Sequence, residues 1–417
     1  MDNLSLKINK TKLNKYVLAV FILSVFWVKS FEFSFLLTLL LTIFYLPKIK
    51  ITKPLIEVLL LLSLIIIVAI PNTFVYKSSA FDILKGLLYY LKPILMILLG
   101  YMVILRIKDW SFFFKLIIYL SLFFASIHII IAIDWFFSDE PITVLRYRSG
   151  KGSLIEILGF VFFIARKKIG ITFSKSRRRF IFLLLASSAL LYFSRTQIIG
   201  IVILLLSVYG FTKLSTKSIM VISGLVLSLI IFFAILNNTD LERGAPGVEG
   251  FLYKVKIAPQ EVFSSEINIE DHSDLWDKWR SYEAKKAFEQ TFDKGLPAIV
   301  IGNGLGAKVD LEIDYLISGI PEKEIPILHN GYAFLIFKSG LLGLFFYLLF
   351  LLRLYIKTYF DNNDNLKLNL IRKFISGFGF YLLFSTLIIS GLYNINGILS
   401  LFLGCLLGLE KLTKEIS

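Results

Sequence analysis

LHNGYAFLIFKSGLLGL, from Leu328 to Leu344, is where a long polar segment runs into an apolar helix. His329 and Asn330 stand at the junction, and beyond them nearly every side chain is apolar apart from Lys338 and Ser339. A helix starting near Asn330 places His329 at a membrane surface, at the positive end of the helix dipole. That end favours anions and disfavours imidazolium, which suits a neutral base beside an anionic ligand. An interfacial histidine that merely closes a loop has the same sequence, and both readings stand at this point.

Working outward, composition sets the class. Hydrophobic residues make up 57% of the 417 and 40 of them are phenylalanine, with a mean hydropathy of +0.76, far above a soluble domain. The chain reads as an all-α, polytopic membrane bundle. About twelve crossings account for the apolar runs, each near the roughly 20 residues a bilayer needs. They are expected near 16–30, 31–46, 55–75, 87–106, 110–133, 152–166, 180–194, 196–212, 218–236, 329–352, 374–390 and 395–409. The last two share one uncharged run, Phe374 to Leu409, which as a single helix would be about 54 Å long. Gly391, Asn394, Asn396 and Gly397 supply the turn that divides it. Lys7, Lys10, Lys12 and Lys15 precede the first run without a small-residue cleavage site after it, so no cleavable leader is expected. The one cysteine, Cys405, lies in an apolar run and excludes an intramolecular disulfide.

Lysine and arginine set the orientation. With the N-terminus inside, Lys48, Lys50 and Lys53, then Arg106 and Lys108, then Arg166 to Lys168 and Arg177 to Arg179 fall on one side. Lys213, Lys217, Arg353, Lys357, Arg372, Lys373, Lys411 and Lys414 continue the series. The formal charge of +15 therefore describes a cytoplasmic membrane face, and nucleic acid is not an expected partner. Residues 237–327 break the pattern, with 17 acidic side chains against 10 basic ones, a net of −7. The expected organisation is a membrane bundle over 1–236, an external cap over 237–327 and C-terminal membrane helices over 328–417. Within the cap, Asp274 to Phe292 reads as one amphipathic helix, with Trp276, Trp279, Ala284, Ala287 and Phe288 on its apolar face, stopped by Gly295 and Pro297.

Several cations stand on the side that the positive-inside rule disfavours. Arg195 sits in a tight hairpin between two apolar runs, where a lipid headgroup and a substrate phosphate are the rival explanations. Arg280, on the cap helix, is either a snorkelling arginine or an anion clamp, since guanidinium matches phosphate with a planar fork. Arg146, Arg148 and Lys151 make a basic patch, with Glu156 placed to pair with one of them. Lys338 lies nine residues past His329, about 13 Å deeper along a helix, and should face the bundle interior, to hold an anion or pair with Glu156, unless it snorkels. Gly302, Gly304 and Gly306 lack the strand–turn–helix setting of a nucleotide fingerprint and read as a tight turn returning the cap to the membrane. Asp310, Glu312 and Asp314 alternate, as a divalent-cation site or as solvated acids. His128 reads as a buried helix contact and His272 as a surface group.

In this order the residues resemble the O-antigen polymerase and O-antigen ligase superfamily of bacterial envelope proteins. The features are SRTQIIG at 194–200, the large loop, WR at 279–280, an aromatic-rich helix, IGNGLG at 301–306 and HNGYAFLIFKSGLLGL after it. The resemblance is clearest over about 190–350; Lys338 departs from it, where many relatives have an acidic or neutral residue. It implies a multi-pass protein of the bacterial inner membrane, with both termini cytoplasmic and the large loop outside. The implied activity is that of a glycosyltransferase using an undecaprenyl-diphosphate-linked oligosaccharide, with membrane lipid around it and a chain-length regulator and flippase as partners. It maps functional positions onto Arg195, Arg280 and His329: the histidine as base and the arginines on the diphosphate, with Arg146, Arg148 and Lys338 as further substrate contacts. The donor is already activated, so no cofactor is expected, and the guanidinium groups stand in for a metal. A repeat-unit polymerase is the first reading. A ligase, differing in its lipid A–core acceptor, is second. A lipid-linked oligosaccharide transporter is third, because no repeat and few intramembrane charges are visible.

Overall fold

A backbone in lipid has no water to satisfy its N–H and C=O groups, so long apolar runs close their hydrogen bonds within helices. The structure, a computed structural model, describes residues 10–28, 30–47, 51–138, 140, 142–150, 152–245, 247–317, 320–360 and 365–416. Lys7, Lys48, Lys50 and Lys151 lie outside the described residues. The first helices are α1 (Lys10–Trp27), α2 (Phe31–Tyr45), α3 (Lys53–Val75), α4 (Ala80–Ile107) and α5 (Trp110–Phe136). Then come α6 (Ile142–Ser149), α7 (Ser153–Ile164), α8 (Arg166–Ile169), α9 (Lys175–Leu191), α10 (Arg195–Val208) and α11 (Thr216–Asn237). An insert follows with α12 (Gly247–Lys256), α13 (Ala258–Phe263), α14 (His272–Asp277), α15 (Trp279–Asp293) and α16 (Leu296–Ile301). After it a hairpin of β1 (Val309–Ile317) and β2 (Ile320–Ile325) leads into α17 (Gly331–Tyr355), α18 (Leu366–Ile389) and α19 (Ile398–Ile416).

The described residues are thus mostly helical, and each of the twelve expected runs falls on a helix. Six described helices, α3, α4, α5, α11, α17 and α18, are long and apolar enough to cross a membrane. The other six runs fall on helices of 12 to 19 residues. A 12-residue helix such as α7 rises about 18 Å, short of the roughly 30 Å hydrocarbon layer. Helices α4 and α19 pack backbone to backbone: a Cβ on Gly100 would meet Leu401 O at 2.1 Å, and one on Gly404 would meet Ile97 O at 2.0 Å. Small residues at such a seam let helices approach closely where the hydrophobic effect supplies little. At the end of the bundle away from His329, Arg353 pairs with Glu57 at 2.6 Å and buried Lys357 with Glu410 at 2.8 Å.

The run Asp274 to Phe292, expected as one helix of the insert, is two. It breaks at Lys278 into α14 and α15. The insert's alternating acids lie on β1, where Val309 and Leu311 are buried and Glu312 pairs outward with Lys286 at 2.7 Å. That alternation is a strand's period of two.

The glycine run turns tightly, as its composition predicts. Gly302 and Gly304 take φ of +79° and +92°. Asn303 N–H donates to Phe337 O at 2.7 Å and Gly304 N–H to Lys338 O at 3.1 Å. Helix α17 is itself broken at Gly340, φ +66°, where the backbone of Val300 and Ile301 lies against it. Lys338 is buried and donates to Leu305 O at 2.8 Å and to Ala307 O. It therefore braces the glycine turn rather than pairing with Glu156 or snorkelling. Asn72 and Thr73, at the end of α3, bond the same turn through Gly302 O and Leu305 N. Glu156 is buried too, accepting from Tyr192 at 3.1 Å and from Ser188, while Arg148 of the basic patch pairs with Asp134 and Glu140 instead.

A Cβ on Gly302 would fall 2.2 Å from the carbonyl carbon of Lys338, whereas one on Gly224 in α11 meets nothing within 4 Å. Gly302→Ala is expected to cost about 3 kcal/mol or more, because backbone cannot swing aside. Thermal unfolding in detergent should show a clear loss for Gly302→Ala and almost none for Gly224→Ala; equal curves would refute the seam.

Candidate functional site

His329 is placed by its own backbone. Its carbonyl accepts from Ser390 N–H at 2.7 Å, which ties the start of α17 to the end of α18. Asn330 caps α17, its side chain accepting from the N–H groups of Tyr332 and Ala333 at 3.0 and 3.2 Å. Two of the amides that would draw an anion to this helix end are thus already used.

The partner that sequence reading missed is Glu283. It lies on α15, one turn after Trp279, and its side chain is only 3% exposed while that of His329 is 53% exposed. One carboxylate accepts three groups: His329 N–H at 2.9 Å, His329 Nδ1 at 2.9 Å and Trp279 Nε1 at 2.7 Å. A carboxylate only accepts, so Nδ1 carries a proton, and in the neutral imidazole Nε2 keeps the lone pair. The cleft side of the ring is therefore a base whose positive form, once protonated, faces a fixed carboxylate.

The arginines are likewise held by an acid. Arg195 opens α10 after a three-residue turn in which Phe193 adopts φ +46°. That is costly for a bulky residue, and the ring packs on Phe251, 5.7 Å between centroids. Arg195 donates to Glu261 Oε2 at 2.6 Å and to Lys254 O; Arg280 donates to Glu261 Oε1. One carboxylate of α13 thus bridges the two guanidinium groups, and Arg280 Nε stays buried without an acceptor. Burial, followed by the positive charge of Arg195, pushes the Arg146 guanidinium below its ordinary value, with Glu261 opposing and Arg280 adding. Three arginines therefore share one field around a single acid. Arg148 is not among them: it is exposed and pairs with Asp134 at 2.5 Å and Glu140 at 3.2 Å.

Three cavities adjoin here. An outer cleft of about 580 Å³ is lined by His329, Arg146, Ser390, Asn394 and Asn396 among others. An inner chamber of about 270 Å³ shares Arg146, Asn394 and Asn396 with it and adds Arg280, Thr196 and Gln197. An apolar groove of about 320 Å³ shares Arg280 and Thr196 with the chamber and runs between α10 and α11, past Ile198, Leu229, Phe232 and Phe233. The structure so brings His329, Arg146, Arg195 and Arg280 to one system of cavities and leaves Arg148 and Lys338 outside their linings. His128 is buried against Ser188, and His272 accepts from Trp276 on the surface. Among the described residues, no group of three or more His, Cys, Asp or Glu side chains is placed to hold a metal ion. No protein-family model matches the chain, and no curated protein matches it.

Glu261 occupies the place an anion would take between Arg195 and Arg280. Removing its charge in Glu261→Gln should tighten binding of inorganic diphosphate about tenfold by calorimetry, since the guanidinium groups lose their competitor. Weaker binding would mean that the carboxylate is needed to align them.

Proposed function

We propose that the protein is a glycosyltransferase of the bacterial inner membrane that polymerises repeat units carried on undecaprenyl diphosphate. The observation that carries this reading is the joining of three unlike environments: an apolar groove, an arginine cluster and a carboxylate-held histidine. They match a donor's lipid tail, its diphosphate and the acceptor hydroxyl respectively.

In this reading the tail lies against Leu229, Phe232 and Phe233, and the diphosphate sits at Arg195 and Arg280, with Arg146 beside them. The acceptor hydroxyl stands at His329. Its oxygen bonds to the anomeric carbon as the bond from that carbon to the diphosphate oxygen breaks. The proton passes to His329 Nε2, Glu283 stabilises the imidazolium, and the guanidinium groups take up the charge of the departing lipid diphosphate. The donor's own phosphate ester supplies the driving energy. Twelve crossings, the inner-membrane orientation and an external cap formed by the insert belong to this reading, supported by the one-sided distribution of lysine and arginine. Short helices such as α7 and α10 then cross by joining with their neighbours at the rim of the cleft. A ligase would use the same groups with a different acceptor.

Purified His329→Ala with lipid-linked repeat units should bind donor normally and form polymer about 10² to 10⁴ times more slowly. Glu283→Gln should retain donor binding yet lose rate about tenfold to a hundredfold, because the ring loses its orientation and counter-charge. Wild-type turnover by His329→Ala would overturn the assignment.

A further inference from the structure

Resting on that reading, we infer that the inner chamber is the subsite for the donor sugar next to the diphosphate, and that Gln197 reads a hydroxyl of that sugar. Gln197 is 3% exposed and lines the chamber. Its Nε2 donates to Ser153 O at 3.2 Å, which sets the amide so that Oε1 is the free acceptor. That Oε1 is buried and accepts no hydrogen bond from the protein. Buried polar atoms are rarely left so, and an unpaired amide oxygen on a residue that lines a cavity calls for an O–H or N–H donor rather than a phosphate. A sugar hydroxyl supplies one.

The position follows from α10. Its first turns present Arg195, Ile198 and Ile199 to the apolar groove, Gln197 to the chamber and Thr196 to both, so this one helix end joins the two cavities. At about 270 Å³ the chamber holds roughly nine water volumes, the scale of one sugar residue.

The opposite wall is built with equal care. Asn394 and Asn396 project from the turn between α18 and α19, and Asn396 N–H donates to Asn394 Oδ1 at 3.1 Å. From beneath, the buried ammonium of Lys92 donates to Ile395 O at 2.6 Å and to Ser34 Oγ at 2.5 Å, and lies 4.4 Å from the Phe31 ring centre. A lysine buried in a membrane bundle is costly, and here its ammonium fixes the carbonyl between the two asparagines. Lys92 is a positioning residue for that wall.

The test is binding of two probes to the full-length protein: undecaprenyl diphosphate, and the lipid-linked repeat unit extracted from cells that lack this gene. Gln197→Met, which keeps length and removes the amide, should weaken the sugar-bearing probe tenfold to a hundredfold and leave undecaprenyl diphosphate unchanged. Asn396→Ala, on the exposed side of the turn, should act in the same direction should Gln197→Met fail to fold. Arg280→Ala should weaken both probes. Equal effects of Gln197→Met and Asn396→Ala on the two probes, or no effect on either, would overturn the sugar subsite while leaving the transferase reading in place. Failure of the wild-type protein to bind either probe would overturn that reading and this inference together.

Discussion

The backbone seam between the glycine turn and the break in α17 is the constraint on which the site depends. Main chain meets main chain there, with Phe337 O and Lys338 O accepting from residues 303 and 304. The Lys338 ammonium returns two bonds to the carbonyls of Leu305 and Ala307. No side chain can be threaded through such a contact, so the insert has little freedom to slide over the helices. Helix α15 inherits that placement through Asn303, which donates to Thr291, and through Gln290 and Tyr282, which bond β1. Glu283 and Arg280 are carried on the same helix. The catalytic geometry proposed for His329 is thus fixed by a seam lying several residues further along the chain.

Two acids organise the cleft. Glu283 orients the imidazole and Glu261 gathers two guanidinium groups. Both are only lightly exposed, and each answers more than one cation or donor, so neither is a loose surface charge. The polarity changes in steps, from apolar groove to arginine cluster to an amide-lined chamber to the histidine. A substrate with lipid, diphosphate and glycan portions has the same succession.

Much of this was legible in the sequence. All twelve apolar runs lie on helices, the turn at 390–397 divides the last uncharged run, and Arg195 does open a helix after a tight turn. Composition and periodicity report such features because they are local. Glu283 and Glu261 were not legible. They are two of 17 acids in one segment, and what singles them out is contact with residues 46 and 66 positions away. The only local trace of Glu283 is its i+4 spacing from Trp279, which it accepts from. The β-hairpin had a visible signal in Val309-Asp310-Leu311-Glu312-Ile313, a period of two that reads equally as a string of solvated acids. Lys338 faces the interior, as a cation in an apolar helix must, but its partners are carbonyls of a turn that no helical periodicity reveals.

The central claim is that this protein joins lipid-linked glycan units, and the size distribution of surface glycan after deletion of its gene tests it most directly. The account predicts that polymer collapses to single repeat units attached at the surface, and that supplying the intact gene restores the ladder. Long chains left unattached on the lipid carrier would place the protein at the ligation step instead. Attached polymer of normal length would contradict transfer of either kind.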